Sequence, residues 1–203
     1  MYLMSKKQLL AIIVWSVTLA ATGAIADVTH TPLESANRSV AAQRDAEEAA
    51  IHRLLEQFRT IKISLSEAVA IAEHLHDGSK TADVSFEIFG PSVYRVRTVT
   101  NERIWENVID ANTGSVRGKE ISSSLKELDR EDLGNIIALK SVKQELSDAI
   151  RIAEKSAEGS AVAGGLIKQD GKLNFVVVVA SDDRLKEVML EPPRVGRPGA
   201  NRH

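Results

Sequence analysis

Apolar residues follow two different periods along this chain, and the points of change mark element boundaries. From Leu65 to Leu75 they recur every three or four residues, which is typical of a helix packed along one face. From Val84 to Thr98 apolar and polar residues alternate on either side of Gly90-Pro91-Ser92, which predicts a hairpin. A third strand, Arg103 to Ile109, ends at the turn-forming residues Asp110 to Gly114. The pattern predicts helix, strand, strand, strand.

This pattern returns 81 residues later without a gap. Leu65-Ser66-Glu67-Ala68-Val69 comes back as Leu146-Ser147-Asp148-Ala149-Ile150. Self-similarity at a fixed offset indicates one supersecondary unit used twice. We therefore predict an α+β protein with two tandem units, each a helix plus a three-stranded antiparallel sheet, and with flanking and connecting helices.

The remaining segments complete the predicted organisation. Ser39 to about Arg59 carries a helical apolar stripe, and Leu125 to Leu139 reads as one or two short helices broken near Gly134. In the first hairpin a three-residue turn would pair Phe86 with Val96. The predicted segments are a signal peptide (1–26), a lead-in and amphipathic helix (27–60), repeat 1 (61–118), a helical connector (119–141), repeat 2 (142–191) and a disordered tail (192–203).

The hairpin of repeat 2 is apolar on both faces. Where repeat 1 has Ser85, Arg95 and Arg97, repeat 2 has the apolar residues of a second buried face. An uncovered strand of this kind would aggregate, so we expect a flanking helix, or failing that a homodimer partner, to cover it. For one of the two arginines, Arg95, pairing with Glu87 inside the hairpin is a simpler explanation than contact with an acidic partner. The candidate interaction surface is Leu166, Val176, Val178, Arg95 and Arg97.

The N-terminus has the pattern of a secretory signal peptide. Lys6 and Lys7 precede an apolar run from Leu9 to Ala20, and Ala24-Ile25-Ala26 is a small-x-small cleavage site. The run is too short to span a bilayer. We expect cleavage after Ala26, a periplasmic or secreted protein, and no membrane association afterwards.

Charge and cysteine content narrow the function classes. The chain has 26 basic and 28 acidic residues, and loss of the two signal-peptide lysines leaves a net charge of −4. This excludes the basic excess of an ordinary nucleic-acid binder. The chain has no cysteine, and it has no zinc-protease, phosphate-loop, nucleophile-elbow or dinucleotide motif. We predict no enzyme activity, no catalytic residues and no cofactor.

Metal binding is the alternative to a protein-binding function. Glu127, Asp129, Glu131 and Asp132 cluster in the connector and Asp182-Asp183 in a turn, and hard cations such as calcium or a lanthanide take oxygen ligands. No loop spacing assigns specific ligands, so we name no metal residue. His74 and His76 are two residues apart on a helix end and point apart, which favours surface histidines.

The first repeat resembles a known family. Ile63-Ser64-Leu65-Ser66-Glu67-Ala68, the spaced Gly78, Tyr94-x-Val96 and the closing Asp110-Ala111-Asn112-Thr113-Gly114 are similar to the PepSY domain, found in propeptides of thermolysin-like metalloproteases and in other exported bacterial proteins. The resemblance implies a non-enzymatic module that binds an unidentified protein or peptide and regulates peptidases, here through a sheet edge or the apolar second face. In repeat 2 the closing turn is replaced by Glu191-Pro192-Pro193.

Overall fold

The structure is a computed structural model that describes residues 32–193 apart from 89, 101, 129, 170 and 171. The predicted signal peptide and the tail from residue 194 lie outside the described residues. Within that part of the chain, no helix is long and apolar enough to cross a membrane.

The described chain is α+β, as predicted. Its α-helices are α1 (Pro32–Phe58), α2 (Leu65–His74), α3 (Arg130–Ser141) and α4 (Leu146–Ala157), and a 3-10 turn spans Leu125–Glu127. Its strands are β1 (Lys80–Glu87), β2 (Val93–Val99), β3 (Arg103–Asp110), β4 (Val116–Ser124), β5 (Ser160–Gln169), β6 (Lys172–Ser181) and β7 (Arg184–Leu190). All strands join one antiparallel sheet in the order β4-β3-β2-β1-β5-β6-β7.

The sheet is continuous because the first strands of the two halves pair with each other. Val84 of β1 lies opposite Gly164 of β5, with one further pair on each side. The two residues are 80 positions apart, so the sheet has a local two-fold arrangement about this pair. Helices α2 and α4 also contact each other, on one side of the sheet. The core is therefore shared between the halves.

The offset between the halves is 81 in the helices but 80 in the first strands. Glu73 of α2 accepts a hydrogen bond from the Thr81 amide at 2.9 Å, and Glu154 of α4 accepts one from the Ala161 amide at the same distance. The loop is shorter in the second half because α4 runs on to Ala157 and ends at Glu158 in a left-handed conformation (φ 54).

The second half has one residue fewer than the first between its helix and its first strand. The side chains of β5 therefore lie on the opposite faces of the sheet from those predicted. A Cβ added to Gly164 would contact Leu146 and Ile150 of α4, so Gly164 faces the side of α2 and α4, which we call the inner face. Leu166, two residues on, also faces inward, opposite Phe175. The prediction that Leu166 shares a face with Val176 and Val178 is wrong; Ile167 takes that place.

Helix α3 lies on the opposite, outer face. It contacts β1 and β5 equally, and its buried Asp132 interacts electrostatically with Arg97, which points outward beside Asp83. Its buried positions are Asp132, Asn135, Ile136 and Leu139, the i, i+3, i+4, i+7 stripe of a helix packed along one face. The expectation that the first half needs no cover is wrong, because this helix also buries charged groups of β1 and β2.

Three sequence-based boundaries need correction. Helix α1 begins at Pro32, within the segment predicted as a lead-in. Residues 116–124, assigned partly to a helical connector, form the edge strand β4. Helix α3 is not broken at Gly134, because a glycine costs a helix only about 1 kcal/mol and tertiary packing overrides it.

The first hairpin also has a different register. Phe86 pairs with Tyr94 rather than Val96, because the connection from residue 88 to 92 is five residues long. A shift of two residues keeps every side chain on its predicted face. The predicted core of this hairpin, with Phe86, Tyr94 and Val96 fully buried, is therefore unchanged.

Candidate peptide-binding groove

The apolar part of the predicted interaction surface lies inside the chain. Val176 and Val178 are 0 % and 1 % exposed, and Leu166 is 5 % exposed. The expectation that the chain covers this face itself is confirmed. The same burial contradicts the prediction that these residues form a docking surface, because almost none of their surface is accessible to a partner.

Both arginines of that surface are held by carboxylates. Arg97 is buried and its Nε donates to Asp83 Oδ1 at 2.9 Å. Arg95 is half-buried and bonds Glu87, at 2.7 Å from Nε, and Glu106. The hydrogen bonds to Glu87 and Glu106 raise the pKa of Arg95 further above its ordinary value. Arg97 is thus unavailable to a partner. The Arg95 guanidinium is largely occupied by its hydrogen bonds to Glu87 and Glu106.

Burial and the neighbouring charges act in opposite directions on the ionisation of Asp83 and of Arg97. It raises the pKa of the Asp83 carboxyl, while the neighbouring guanidinium acts in the opposite direction. Burial also lowers the pKa of Arg97, but Asp83, Glu106 and Asp132 together raise it above its ordinary value. The pair is a structural element under α3.

Of the residues considered for metal binding, Asp129 and the side chain of Glu131 lie outside the described part of the chain, and the others do not converge. No group of three or more histidine, aspartate or glutamate side chains that could hold an ion occurs among the described residues. Asp132 is a buried residue of α3, and Asp183 pairs with Arg59, the residue after α1. His76 is half-buried rather than a surface residue, stacked on Trp105 at 3.9 Å between centroids and 2.5 Å from Glu120.

A groove of about 370 Å³ opens where α1, the start of α2 and the second half of the sheet meet. We call it the junction groove. Its lining residues are Leu55, Phe58, Arg59, Ile61, Lys62, Ile63, Ser64, Leu65, Glu154, Ser160, Ala161, Ala180 and Asp182. Its volume lies within the range of about 300 to 1,000 Å³ that is usual for ligand pockets. Both halves contribute, so a single unit could not form this groove.

The groove combines an apolar floor with a charged rim. Leu55, Phe58 and Leu65 are buried, whereas Arg59 and Lys62 are exposed at the rim. Arg59 bridges the groove, because its guanidinium donates to the Asp182 carbonyl at 3.1 Å and pairs with Asp183. Hydrogen bonding to Arg59 lowers the pKa of Asp183. An apolar floor with a few polar groups at the rim is the usual arrangement of a ligand-binding site.

One wall of the groove is the segment 61–65, which is held by the closing turn of the first sheet. The amides of Lys62 and Ile63 both donate to the Ala111 carbonyl, at 3.1 and 2.9 Å. The Tyr94 hydroxyl donates to the Ile63 carbonyl at 2.7 Å. Burial, with the charges of Glu67 and Glu154, raises the pKa of Tyr94, so the hydroxyl remains a donor. These bonds fix the wall against the sheet.

The closing turn is itself ordered by one carboxylate. Asp110 accepts from the amides of Asn112 and Thr113, at 2.9 and 2.8 Å, and from Arg117 Nε at 2.7 Å. These bonds, the Asn112 amide first, lower its pKa to about 2. Gly114 follows at φ +71, a backbone conformation that glycine adopts without strain. The interpretation of this sequence as a plain turn agrees with the structure.

Helix α2 begins at the same wall with a capping box formed by Ser64 and Glu67. Ser64 accepts from the Glu67 amide, and the Glu67 carboxylate accepts from the Ser64 amide at 2.7 Å. These hydrogen bonds lower the pKa of Glu67. The cap satisfies amides that a helix start leaves open. The wall, the cap and the closing turn therefore form one hydrogen-bonded unit.

Sequence reasoning did not find the junction groove. Ser160, Ala161 and Ala180 come from the second half and meet the segment 61–65 only because β1 pairs with β5. No local pattern predicts that pairing. The sequence did contain one signal for the groove wall, namely Tyr94 and Ala111 of the family pattern. The Tyr94 hydroxyl and the Ala111 carbonyl both form hydrogen bonds with the segment 61–65.

Comparison with known proteins shows similarity to a protein family and to a solved structure. Residues 62–120 match the family model described as "Peptidase propeptide and YPEB domain", PepSY. No curated protein matches the chain. A crystal structure of a candidate lipoprotein from Clostridium difficile 630 is similar, with 21 % sequence identity, a TM-score of 0.39, and coverage of 65 % of this chain and 88 % of that one.

The matched residues include all of the bonded unit at the groove wall except Ile61. Lys62, the capping box, Tyr94 and the turn from Asp110 to Gly114 all lie between residues 62 and 120. The resemblance noted in the sequence is thereby confirmed. This segment of the chain, from the entry to α2 into β4, is similar to the PepSY domain.

Proposed function

We propose that this protein is an exported, non-enzymatic PepSY protein that binds a short peptide segment of a partner in the junction groove. One observation carries the proposal. The family residues Tyr94 and Ala111 hydrogen-bond the segment 61–65, which is a wall of the groove, and Glu67 accepts from the Ser64 amide of that segment. The motif thus shapes a binding surface and assembles no reacting groups.

Several further features belong to the same proposal. The sequence Ala24-Ile25-Ala26 supports export to the periplasm or cell exterior. The order helix, strand, strand, strand in both halves supports two tandem PepSY-like units. The propeptide relationship of the family favours a peptidase as the partner, with regulation as the outcome.

Groove binding is tested by selecting peptides and then altering the rim. Random linear peptides about ten residues long, displayed on phage, are selected on the protein lacking residues 1–26. Lys62→Glu reverses a rim charge, and Ser160→Phe places a ring in the groove. Each should weaken the selected peptides about tenfold, equivalent to about 1.4 kcal/mol.

Lys143 supplies the matched control. It lies 81 residues after Lys62 and is exposed outside the groove, so Lys143→Glu changes the net charge equally but should leave peptide binding unchanged. Equal losses for Lys62→Glu and Lys143→Glu would mean that overall charge, not the groove, governs binding. Selected peptides that are insensitive to Ser160→Phe would exclude the groove as their site.

The peptidase part is tested with thermolysin and a fluorogenic peptide substrate. We expect the protein to lower the rate of substrate hydrolysis, and Ser160→Phe to restore it. An unchanged rate at protein concentrations well above that of the enzyme would refute regulation of this peptidase class. Peptide binding in the groove would stand independently of that result.

A further inference from the structure

Three polar side chains lie together on the inner face of the first half. Arg97 points outward, so its neighbour Thr98 points inward, and Trp105 lies directly opposite Thr98 in the β2–β3 ladder. Asn107 lies two residues further along β3 on the same face. Thr98 and Asn107 are 0 % and 1 % exposed. We call Thr98, Trp105 and Asn107 the inner polar cluster.

The polar side-chain atoms of this cluster have no hydrogen-bond partner among the described residues. They are Thr98 Oγ1, Trp105 Nε1, and Oδ1 and Nδ2 of Asn107, and all of them are buried. A buried polar group without a partner destabilises a folded protein, and native structures contain few of them. Their grouping on one patch of the sheet indicates a shared binding partner.

The second half shows that the fold itself does not require these polar groups. Thr98 and Asn107 correspond, 81 residues on, to Val179 and Val188, which hold the same ladder positions in β6 and β7. Val179 is 0 % exposed, so an apolar side chain packs fully at the position of Thr98. The polar groups of the first half therefore do not serve packing alone.

Strand β4 has a bulge directly beside this cluster. The β3–β4 register shifts between Glu106 and Val108, where three residues of β4, 118–120, lie opposite Asn107 alone. Gly118 within this segment adopts a left-handed conformation (φ +73). Bulges bend a strand, interrupt its ladder and are over-represented beside functional sites. Regular strand packing therefore ends at Asn107.

His76 and Glu120 cover the Trp105 side of the cluster. The His76 ring stacks on the Trp105 ring, with 3.9 Å between centroids and 13° between the planes. Its Nε2 lies 2.5 Å from Oε2 of Glu120, the last residue of the bulged segment. The His76 and Glu120 side chains are 20 % and 29 % exposed, whereas the polar atoms of the cluster are buried. These atoms are therefore out of contact with bulk water.

We propose that the inner polar cluster is a binding site for internal water, held between Thr98, Trp105 and Asn107. The indole N–H and Asn107 Nδ2 donate, Asn107 Oδ1 accepts, and the Thr98 hydroxyl does either, so a molecule that both donates and accepts matches the set. The cluster has no charged side chain, which suits a neutral molecule. Two hydrogen bonds of about 2.8 Å through a water molecule bridge atoms about 4.5 Å apart, close to the usual spacing of Cβ atoms across a ladder.

The bound water would connect β2 and β3 beneath the end of α2. In the second half the corresponding connection is direct, because Lys186 Nζ donates to the Ala157 carbonyl at 3.2 Å. These two residues are the counterparts, 81 residues on, of Trp105 and His76. The two halves thus join the third strand to the helix end in different ways. The water site lies apart from the junction groove and does not depend on the function proposed for it.

Nuclear magnetic resonance tests the site directly, because Trp105 is the single tryptophan of the protein lacking residues 1–26; the other, Trp15, lies in the removed segment. Its indole proton therefore gives one assignable signal. We expect a rotating-frame Overhauser cross peak between this proton and water, with the sign that separates a bound molecule from proton exchange. A double variant, Thr98→Val with Asn107→Val, carries the residues of the second half and should lose the cross peak.

Thr98→Val tests the site through stability, because it removes the hydroxyl with little change of shape. With water bound, the variant loses a hydrogen bond, and the unfolding equilibrium constant measured in urea should rise about two- to tenfold. With nothing bound, removal of an unpaired buried hydroxyl should leave that constant unchanged or lower it. Val179→Thr is the matched control: it buries a hydroxyl between Val177 and Val188 in the second half and should raise the constant.

Three outcomes would overturn the proposal. A spectrum of the original chain without the water cross peak would mean that no long-lived water lies at the indole. A cross peak that remains in the double variant would arise outside the cluster. A Thr98→Val variant that unfolds no more readily than the original chain would show that the hydroxyl binds nothing. If the double variant does not fold, the spectrum of the original chain and the stability of Thr98→Val still decide.

Discussion

Removing the buried arginine at the centre of the outer face should destabilise the protein severely at neutral pH. Arg97 and Asp83 are each 8 % exposed at their side chains, and Asp83 Oδ2 has no hydrogen-bond partner among the described residues. In Arg97→Met the carboxylate of Asp83 loses its counterion under α3. Breaking a buried pair from one side costs about 3 to 5 kcal/mol.

Protonation of Asp83 sets an upper bound on part of that cost. Bringing a carboxyl of ordinary pKa 3.8 to its neutral form at pH 7 costs about 4 kcal/mol, at about 1.4 kcal/mol per pH unit. Without Arg97, the folded-state pKa of Asp83 stays above the unfolded value. The folded state then binds more protons than the unfolded state, so the variant recovers stability as the pH falls towards 3.8.

Urea unfolding of the original chain, Arg97→Met, and Arg97→Met with Asp83→Leu provides the measurement. We expect the single variant to lose about 3 to 5 kcal/mol at pH 7 and less at pH 5, and the double variant to recover most of the loss at both. A loss below about 1 kcal/mol, or one that does not change with pH, would show that the pair is not the buried contact described here.

Three smaller predictions test other parts of the structure. Asp110→Ala should lower the melting temperature at pH 7. Because the pKa of Asp110 is lowered to about 2, the difference in melting temperature from the original chain should persist above pH 3.8 and vanish as the pH falls through 2. Melting curves at stepped pH would record it. Gly134→Ala should raise the free energy of unfolding in urea by about 0.5 to 1 kcal/mol, since nothing lies within 4 Å of the new Cβ. Gly159→Ala should lower it, since its Cβ would lie 2.2 Å from the Ala180 carbonyl oxygen. Equal effects of the two variants would contradict both predictions. Val176→Glu should yield no folded protein by circular dichroism at pH 7, because it buries an unpaired charge, and a folded variant would mean that the outer face is open.

The sequence predicted what depends on local periodicity and failed where long-range pairing decides. The capping box at Ser64, the Phe86 and Tyr94 hairpin core and the burial of Val176 all follow from spacing alone. Strand β4 was missed because Val116 to Ser124 is polar and exposed, as an edge strand can be. Leu166 was placed on the wrong face because one residue is absent between α4 and β5, and a shift of one reverses a strand.

The candidate sites were the less predictable part. Arg95 and Arg97 read as surface residues because the covering helix α3 and the carboxylates around them come from distant segments. The junction groove depends on the pairing of Val84 with Gly164, which no motif encodes.

The contact of α3 with both β1 and β5 has a consequence for how the chain would come apart. The ladder between these strands has only three residue pairs, yet α3 spans it and continues directly through residues 142–145 into α4. A protease cut within 142–145 would leave α3 with the first half, still seated across the strand β5 of the second. The two fragments should therefore remain associated and migrate as one species on a sizing column, separating only in denaturant.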